Sequence, residues 1–128
     1  MKVEKTLISS DGELFLQEIV SLKDKKRELI YEDASGQLLG ELSDSGFIFL
    51  HMNVKENIPF TKGRLRDWQE LFLDFLEECA SMGHEYVFVI VPEDSDKLLK
   101  FTSLMGFEPW LKMLHGLRHV GTLVRRRT

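Results

Sequence analysis

A long amphipathic helix between two apolar strands is the feature of this sequence that most constrains its fold. FIFLHMNV (47–54) predicts a strand, and EYVFVIVP (85–92) predicts a second, almost wholly apolar one. Between them, apolar residues recur every three or four positions from Leu65 to Met82, which places them on one stripe of a helix that ends at Gly83. A strand, a helix and a second strand predict a βαβ unit. The lack of alternation at 85–92 indicates burial on both faces, as in a central strand.

Shorter elements on both sides of this unit predict the rest of the sheet. Before it, the sequence predicts a strand at 2–7 and then a helix that opens with a capping box of Ser10 and Glu13. A hairpin of 28–33 with 37–42 follows. After it, the sequence predicts a short helix at 95–107 and two strands, 107–115 and 117–125, that are separated at Gly116. The predicted order is β-α-β-β-β-α-β-α-β-β. The fold class is therefore α+β, a mixed and mostly antiparallel sheet with helices on both faces.

The bulk properties limit the classes of function. A chain of 128 residues is expected to form one domain, 1–128, and a net charge of −4 does not favour nucleic acid or an anionic membrane as a partner. The single cysteine, Cys79, lies on the apolar stripe, so a packed core thiol is expected, with a reactive thiol as the alternative. No signal peptide and no apolar span of membrane length is found. We expect a cytoplasmic protein, or one carried inside a particle assembled in the cytoplasm.

The order of elements, with Gly83 after the long helix and Met105-Gly106-Phe107 after the short one, resembles the GNAT superfamily of acyl-CoA-dependent N-acetyltransferases. The resemblance covers nearly the whole chain in element order, and its residue-level support lies mainly in 61–107. It implies that the strands before and after the long helix splay apart to admit acetyl-CoA. The backbone of 50–54, including Met52 and Val54, would then hold the pantetheine arm.

The phosphate motif of that superfamily, Gln/Arg-x-x-Gly-x-Gly/Ala, corresponds to residues 60–65, where only Gly63 matches. Leu65 replaces the second small residue, so its side chain is expected to crowd the phosphate. Lys62 and Arg64 offer positive charge instead, beside the free N–H groups of a helix start. The alternative is a plain basic helix start with no bound anion, although basic residues there oppose the helix dipole.

The catalytic residues implied by the resemblance are only partly present. The superfamily tyrosine that protonates the leaving thiolate corresponds to Thr102, a much weaker acid, and the asparagine before it corresponds to Ser95. His51 is the candidate general base, because histidine titrates near neutral pH and this one lies beside the expected acyl site. The alternative for His51 is a histidine packed in the sheet. Glu56 is a second candidate base, or simply a solvated loop carboxylate. The histidines have no spacing typical of a metal site.

Two further features have plainer interpretations. The run 125–127 is three arginines, and a solvated tail is expected, with contact to phosphate or an acidic protein as the alternative. Trp68 and Trp110 are expected to anchor the core or its edge rather than to stack on bases.

Two functions remain open from the sequence. The first is an acetyltransferase-like protein that moves acetyl from acetyl-CoA to an amine on a small molecule or a protein. The second is a non-catalytic binding or assembly protein with the same fold and a protein partner. Short GNAT-like proteins with few motifs occur in tailed phages, and some of them are associated with head assembly. This chain is similar to them in size and in its eroded motif. An oligomer is compatible with both.

Overall fold

From the first helix onward, the predicted order of elements is the order found in the computed structural model, which describes residues 17–55, 61–115 and 118–128. Residues 17–21 are helical and continue into a 3₁₀ turn at Leu22–Asp24. The predicted strand at 2–7, the capping box and the break at Gly116 lie outside the described residues. None of the described helices is long and apolar enough to cross a membrane.

Six strands form one mixed sheet in the order β1-β2-β3-β4-β6-β5. Their bounds are β1 Glu28–Asp33, β2 Gly36–Leu42, β3 Ile48–Val54, β4 Tyr86–Pro92, β5 Glu108–His115 and β6 Arg118–Arg127. Of the paired strands described, β3 and β4 run parallel and the others antiparallel. β4 is central, and its Val87, Phe88 and Val89 are at most 3% exposed, which confirms the prediction made from its unbroken apolar run.

A long helix connects β3 to β4, and a short helix connects β4 to β5. The long helix is Lys62–Ser81, and its predicted stripe is buried at Trp68, Phe72, Leu76 and Cys79. Met82 is 68% exposed, contrary to its predicted place on that stripe, because it lies beyond the last helical turn as the C-cap. The short helix is Asp96–Leu104. Gly83 and Gly106 both have φ +90°, the left-handed backbone that favours glycine after a helix.

Apolar clusters cover both faces of the sheet, which fixes the face on which each residue of β3 lies. The larger cluster contains Leu50 and Met52 of β3 together with the buried stripe of the long helix. The smaller cluster, on the opposite face, contains Phe49, Phe88, Leu111 and Leu123, with Ile19 and Leu22 packed against it. Because successive strand residues alternate between faces, His51 shares the face of Phe49.

The three C-terminal arginines belong to β6, so the expectation of a solvated tail is wrong. The Arg125 guanidinium lies 4.3 Å from the ring centroid of Tyr86 and 4.5 Å from that of Trp110. Arg126 Nε donates a hydrogen bond of 2.9 Å to the carbonyl of Met105, at the end of the short helix. The guanidinium groups pack on aromatic rings and hold neighbouring segments together, which is how a charged run can lie within a strand.

Candidate functional site

The parallel pairing of β3 with β4, here called the seam, stops halfway along both strands. Ile48 pairs with Val87, Phe49 with Phe88 and Leu50 with Val89. Beyond these pairs, β3 stays paired with β2 as far as Val54, and β4 stays paired with β6 as far as Pro92. The two strands therefore part, as the resemblance implied.

The gap between residues 51–54 of β3 and 90–92 of β4, here called the notch, opens into a groove of about 740 Å³. The groove is lined by the β1–β2 turn, by the ends of β3 and β4, and by the start of the short helix. Met52 is 4% exposed and Val54 packs against the larger apolar cluster. Because these two side chains are turned into the protein, Met52 and Val54 can offer a ligand mainly their backbone.

The β1–β2 turn is tied to the long helix by Asp33, which lines the groove. Its carboxylate accepts hydrogen bonds from Trp68 Nε1 at 2.8 Å, Tyr31 Oη at 3.0 Å and the Ser35 amide at 2.7 Å. Burial by itself raises the pKa of Asp33, but hydrogen bonds from Ser35, Trp68 and Tyr31 outweigh that effect and hold the pKa below its ordinary value. The ionised carboxylate thus fixes one wall of the groove to the helix that follows β3.

The first turn of the long helix has the features of a potential anion site. Thr61 caps it, since Thr61 Oγ1 accepts a bond of 3.2 Å from the Arg64 amide. Helix geometry leaves the Lys62 and Gly63 amides without an intrahelical acceptor. A Cβ at Gly63 would meet nothing nearer than Thr61 Oγ1 at 3.9 Å, so packing does not require glycine there. Leu65 packs against the larger apolar cluster.

Positively charged side chains lie in the first turn of the long helix and beside the notch. The first turn of the long helix has no acidic residue, and neither Lys62 nor Arg64 forms an ion pair with another described residue. Across the mouth of the notch, Lys97 Nζ donates a hydrogen bond of 3.0 Å to the carbonyl of Lys55. Lys97 was not predicted from the sequence, because the spacing of residues within the short helix does not reveal which strand end it faces.

His51 is the first residue of β3 beyond the seam, and it is hydrogen-bonded to a buried carboxylate. Its Nε2 contacts Glu41 Oε1, whose side chain is 3% exposed. Arg27 Nε lies 3.9 Å from the same oxygen. Sequence reasoning missed Glu41, although the antiparallel register of β2 and β3 places Leu39 opposite His51 and Glu41 two residues away on the same face.

The short helix supplies the other two predicted positions. Thr102 is 1% exposed, and its hydroxyl donates a bond of 2.9 Å to the Leu99 carbonyl within the helix. Ser95 is the N-cap and lines the groove, and its side chain makes no capping hydrogen bond. Glu56, the second candidate base, lies outside the described residues.

Cys79 has the environment of a core thiol rather than of a nucleophile. It is 3% exposed within the larger apolar cluster. Burial, with a smaller contribution from the nearby Glu78 carboxylate, raises its pKa to about 11. Because the thiolate is the reactive form, this shift makes the side chain inert near neutral pH.

Comparison with solved structures identifies the fold. The chain is similar to a protein from Agrobacterium tumefaciens provisionally described as an acetyltransferase, with TM-score 0.53, 15% identity, and coverage of 100% of this chain and 99% of that one. It is also similar to an N-acetyltransferase from Staphylococcus aureus Mu50, with TM-score 0.50, 12% identity, and coverage of 99% and 98%. No protein-family model and no curated protein matches the sequence. At such identities the likeness shows the fold alone. This chain therefore has the fold of these two acetyltransferases, which confirms the fold expected from its order of elements.

Proposed function

We propose that this protein transfers an acetyl group from acetyl-CoA to the nitrogen of an amine. The observation that carries the proposal is the parting of β3 from β4 after three residue pairs, which leaves an unpaired strand edge inside a sheet. Unpaired backbone N–H and C=O groups seek partners, and an extended ligand that carries amides of its own can supply them. The pantetheine arm of acetyl-CoA is such a ligand.

The charged groups in the first turn of the long helix suit the other end of the same molecule. Acetyl-CoA carries a pyrophosphate, and the amides of Lys62 and Gly63 lie at a helix start where an anion is favoured. The side chains of Lys62 and Arg64 add positive charge with no acidic neighbour in that turn. In the proposal, these residues hold the phosphates, while the backbone of Met52 and Val54 pairs with the pantetheine arm.

The proposed reaction is a nucleophilic acyl transfer. The amine nitrogen attacks the thioester carbonyl carbon, a C–N bond forms and the C–S bond breaks. His51 takes the proton that the amine loses. The CoA thiolate leaves and is protonated by water or by Thr102, whose hydroxyl must first give up its bond to the Leu99 carbonyl. The acceptor is an amine on a small molecule or on a protein.

A thermal shift measurement tests the binding step. A ligand that binds only the folded state stabilises it by about 2.7 kcal/mol at a hundredfold excess over Kd, so acetyl-CoA should raise Tm. Release of free thiol from acetyl-CoA, followed with a panel of small and peptide amines, then tests transfer. An unchanged Tm at millimolar acetyl-CoA would contradict the proposal and favour a non-catalytic assembly protein, which should elute from a sizing column in a complex.

Two glutamate variants locate the phosphate site. Gly63→Glu puts bulk and negative charge at the first turn of the long helix and should abolish the shift in Tm. Ala80→Glu adds the same side chain at an exposed position in the last turn of that helix and serves as the matched control. A shift that survives in Gly63→Glu would contradict the assignment of the phosphates to this turn.

A further inference from the structure

The buried carboxylate of Glu41 is the feature of the site that the proposed reaction does not yet use. Its side chain is 3% exposed on the sheet face that His51 shares. A buried charge is costly unless it is paired and hydrogen-bonded. Glu41 is partnered from two elements, by His51 on β3 and by Arg27 from the segment before β1, whose Nε is 3.9 Å away.

The hydrogen bond between the two side chains determines which ring nitrogen of His51 is basic. An ionised carboxylate can only accept, so the proton between Glu41 Oε1 and His51 Nε2 belongs to the histidine. In the neutral ring, Nδ1 then keeps its lone pair and is the atom able to take a proton. The same bond also restricts rotation of the ring.

The position of His51 connects this pair to the notch. Leu50 is the last residue of β3 that pairs with β4, and His51 follows it directly. The His51 side chain is 22% exposed, so the ring is neither sealed in the core nor free in solvent. His51 is thus the residue at which the strands part, and its ring is hydrogen-bonded to a buried carboxylate. This is the arrangement of a base and its orienting group.

We propose that Glu41 is a positioning residue that holds His51 in the Nε2–H tautomer, so that Nδ1 accepts the proton of the acceptor amine. The inference rests on the proposed acetyl transfer. In the step itself, the amine nitrogen bonds to the carbonyl carbon, the C–S bond breaks, and the amine proton moves to Nδ1. The buried Glu41 carboxylate beside the ring stabilises the imidazolium that forms, as the carboxylate of a Ser-His-Asp triad does.

The tautomer is measured without any substrate, by NMR of protein labelled with nitrogen-15 at histidine. Wild-type His51 should carry its proton on Nε2, and Glu41→Gln should give a mixture of tautomers, because a glutamine amide can either accept from the ring or donate to it. Wild-type His51 protonated on Nδ1, or a Glu41→Gln spectrum identical to wild type, would overturn the inference. The wild-type spectrum decides the tautomer even if the variant does not fold.

Kinetics separate positioning from a purely structural ion pair. Glu41→Gln should lower kcat by about 10- to 100-fold and leave KM for acetyl-CoA unchanged. Glu41→Asp keeps the charge and should recover part of the rate. Glu108→Gln is the matched control, because Glu108 also faces an arginine, Arg125 at 3.6 Å, but lies on edge strand β5.

The outcomes distinguish this inference from the proposed function. If wild type acetylates amines and folded Glu41→Gln does so with the same kcat, the positioning role fails and the proposed function stands. If wild type neither binds acetyl-CoA nor acetylates any amine, the proposed function fails and the base role of His51 fails with it. The NMR result still decides the tautomer in that case.

Discussion

The two halves of β3 beside β4 differ more than their sequences suggest. In the first half, Ile48–Leu50 pairs with β4, and Phe49 and Leu50 are each 1% exposed. In the second half, residues 51–54 have no partner on β4, Asn53 is exposed and His51 is half-buried. One strand thus packs into the core at its start and has an edge unpaired by β4 at its end. The change between the two occurs within a single residue step.

Truncation of one side chain to alanine in each half of β3 is the most direct test of this comparison. Phe49→Ala should cost about 3–5 kcal/mol of unfolding free energy, the usual loss for a large buried aromatic. Asn53→Ala, on the same strand and the same face, should change stability by no more than about 0.5 kcal/mol, because its side chain is exposed. Urea unfolding measures both. Equal losses in the two variants would contradict the division of the strand.

Alkylation of Cys79 tests how tightly the cluster beneath the first half of β3 is packed. The thiol belongs to the apolar cluster beneath Ile48 and Leu50. With its pKa raised from 9.0 to about 11, the thiolate fraction at pH 8 falls about 100-fold, and reaction with iodoacetamide should slow at least that much. The urea-unfolded chain is the control. Similar rates for the folded and unfolded protein would show that the cluster opens readily.

The hydrogen bond between Asp33 and Trp68 provides a test beside the second, unpaired half of β3. Because the folded-state pKa of Asp33 is lowered, its contribution to stability is complete above its unfolded pKa of about 3.9 and is lost as pH falls through the folded pKa. Asp33→Asn should cost about 1.5 kcal/mol at pH 7, the lower end for a bond to a charged group, since Asp33 is half-buried. Measured by urea unfolding, the difference in unfolding free energy between wild type and Asp33→Asn should be smaller at pH 3 than at pH 7. An equal difference at the two pH values would contradict the linkage.

Removal of the Lys97 ammonium should have the smallest effect. The Lys97–Lys55 hydrogen bond is exposed, so Lys97→Met should change unfolding free energy by less than about 0.5 kcal/mol. In the proposed complex it should weaken acetyl-CoA binding by up to about fivefold, and less at high salt. Lys100→Met, at an exposed position on the same helix, is the control for binding measured by titration. Equal losses in both variants would remove Lys97 from the site.

The order of elements was predictable because its signals are local. The stripe from Trp68 to Cys79 and the apolar run at 86–92 each report their own structure through residue spacing. The end of the seam after Leu50 left no such signal, because pairing between strands depends on residues far apart in the chain. The resemblance to a fold family supplied that expectation, and spacing alone did not.

The candidate site was predictable only in part. His51 was found by its chemistry, but its partner Glu41 emerges only when the register of β2 and β3 is known. Positions 41 and 51 are both odd, which is compatible with one sheet face when consecutive strands pair, and this was the one available signal. Arg125 was misjudged because a basic run near a chain end suggests solvent, whereas two aromatic rings receive its guanidinium here.

The contact between Trp68 and Asp33 gives the molecule a built-in optical reporter. The sequence contains two tryptophans. The indole of Trp68 is bonded to a carboxylate on the groove wall, whereas Trp110 packs on the opposite face beside Arg125. In a Trp110→Phe variant, the remaining emission comes from Trp68 alone. A ligand that enters the notch and disturbs Asp33 should then change the intensity or wavelength of that fluorescence, without any dye or label.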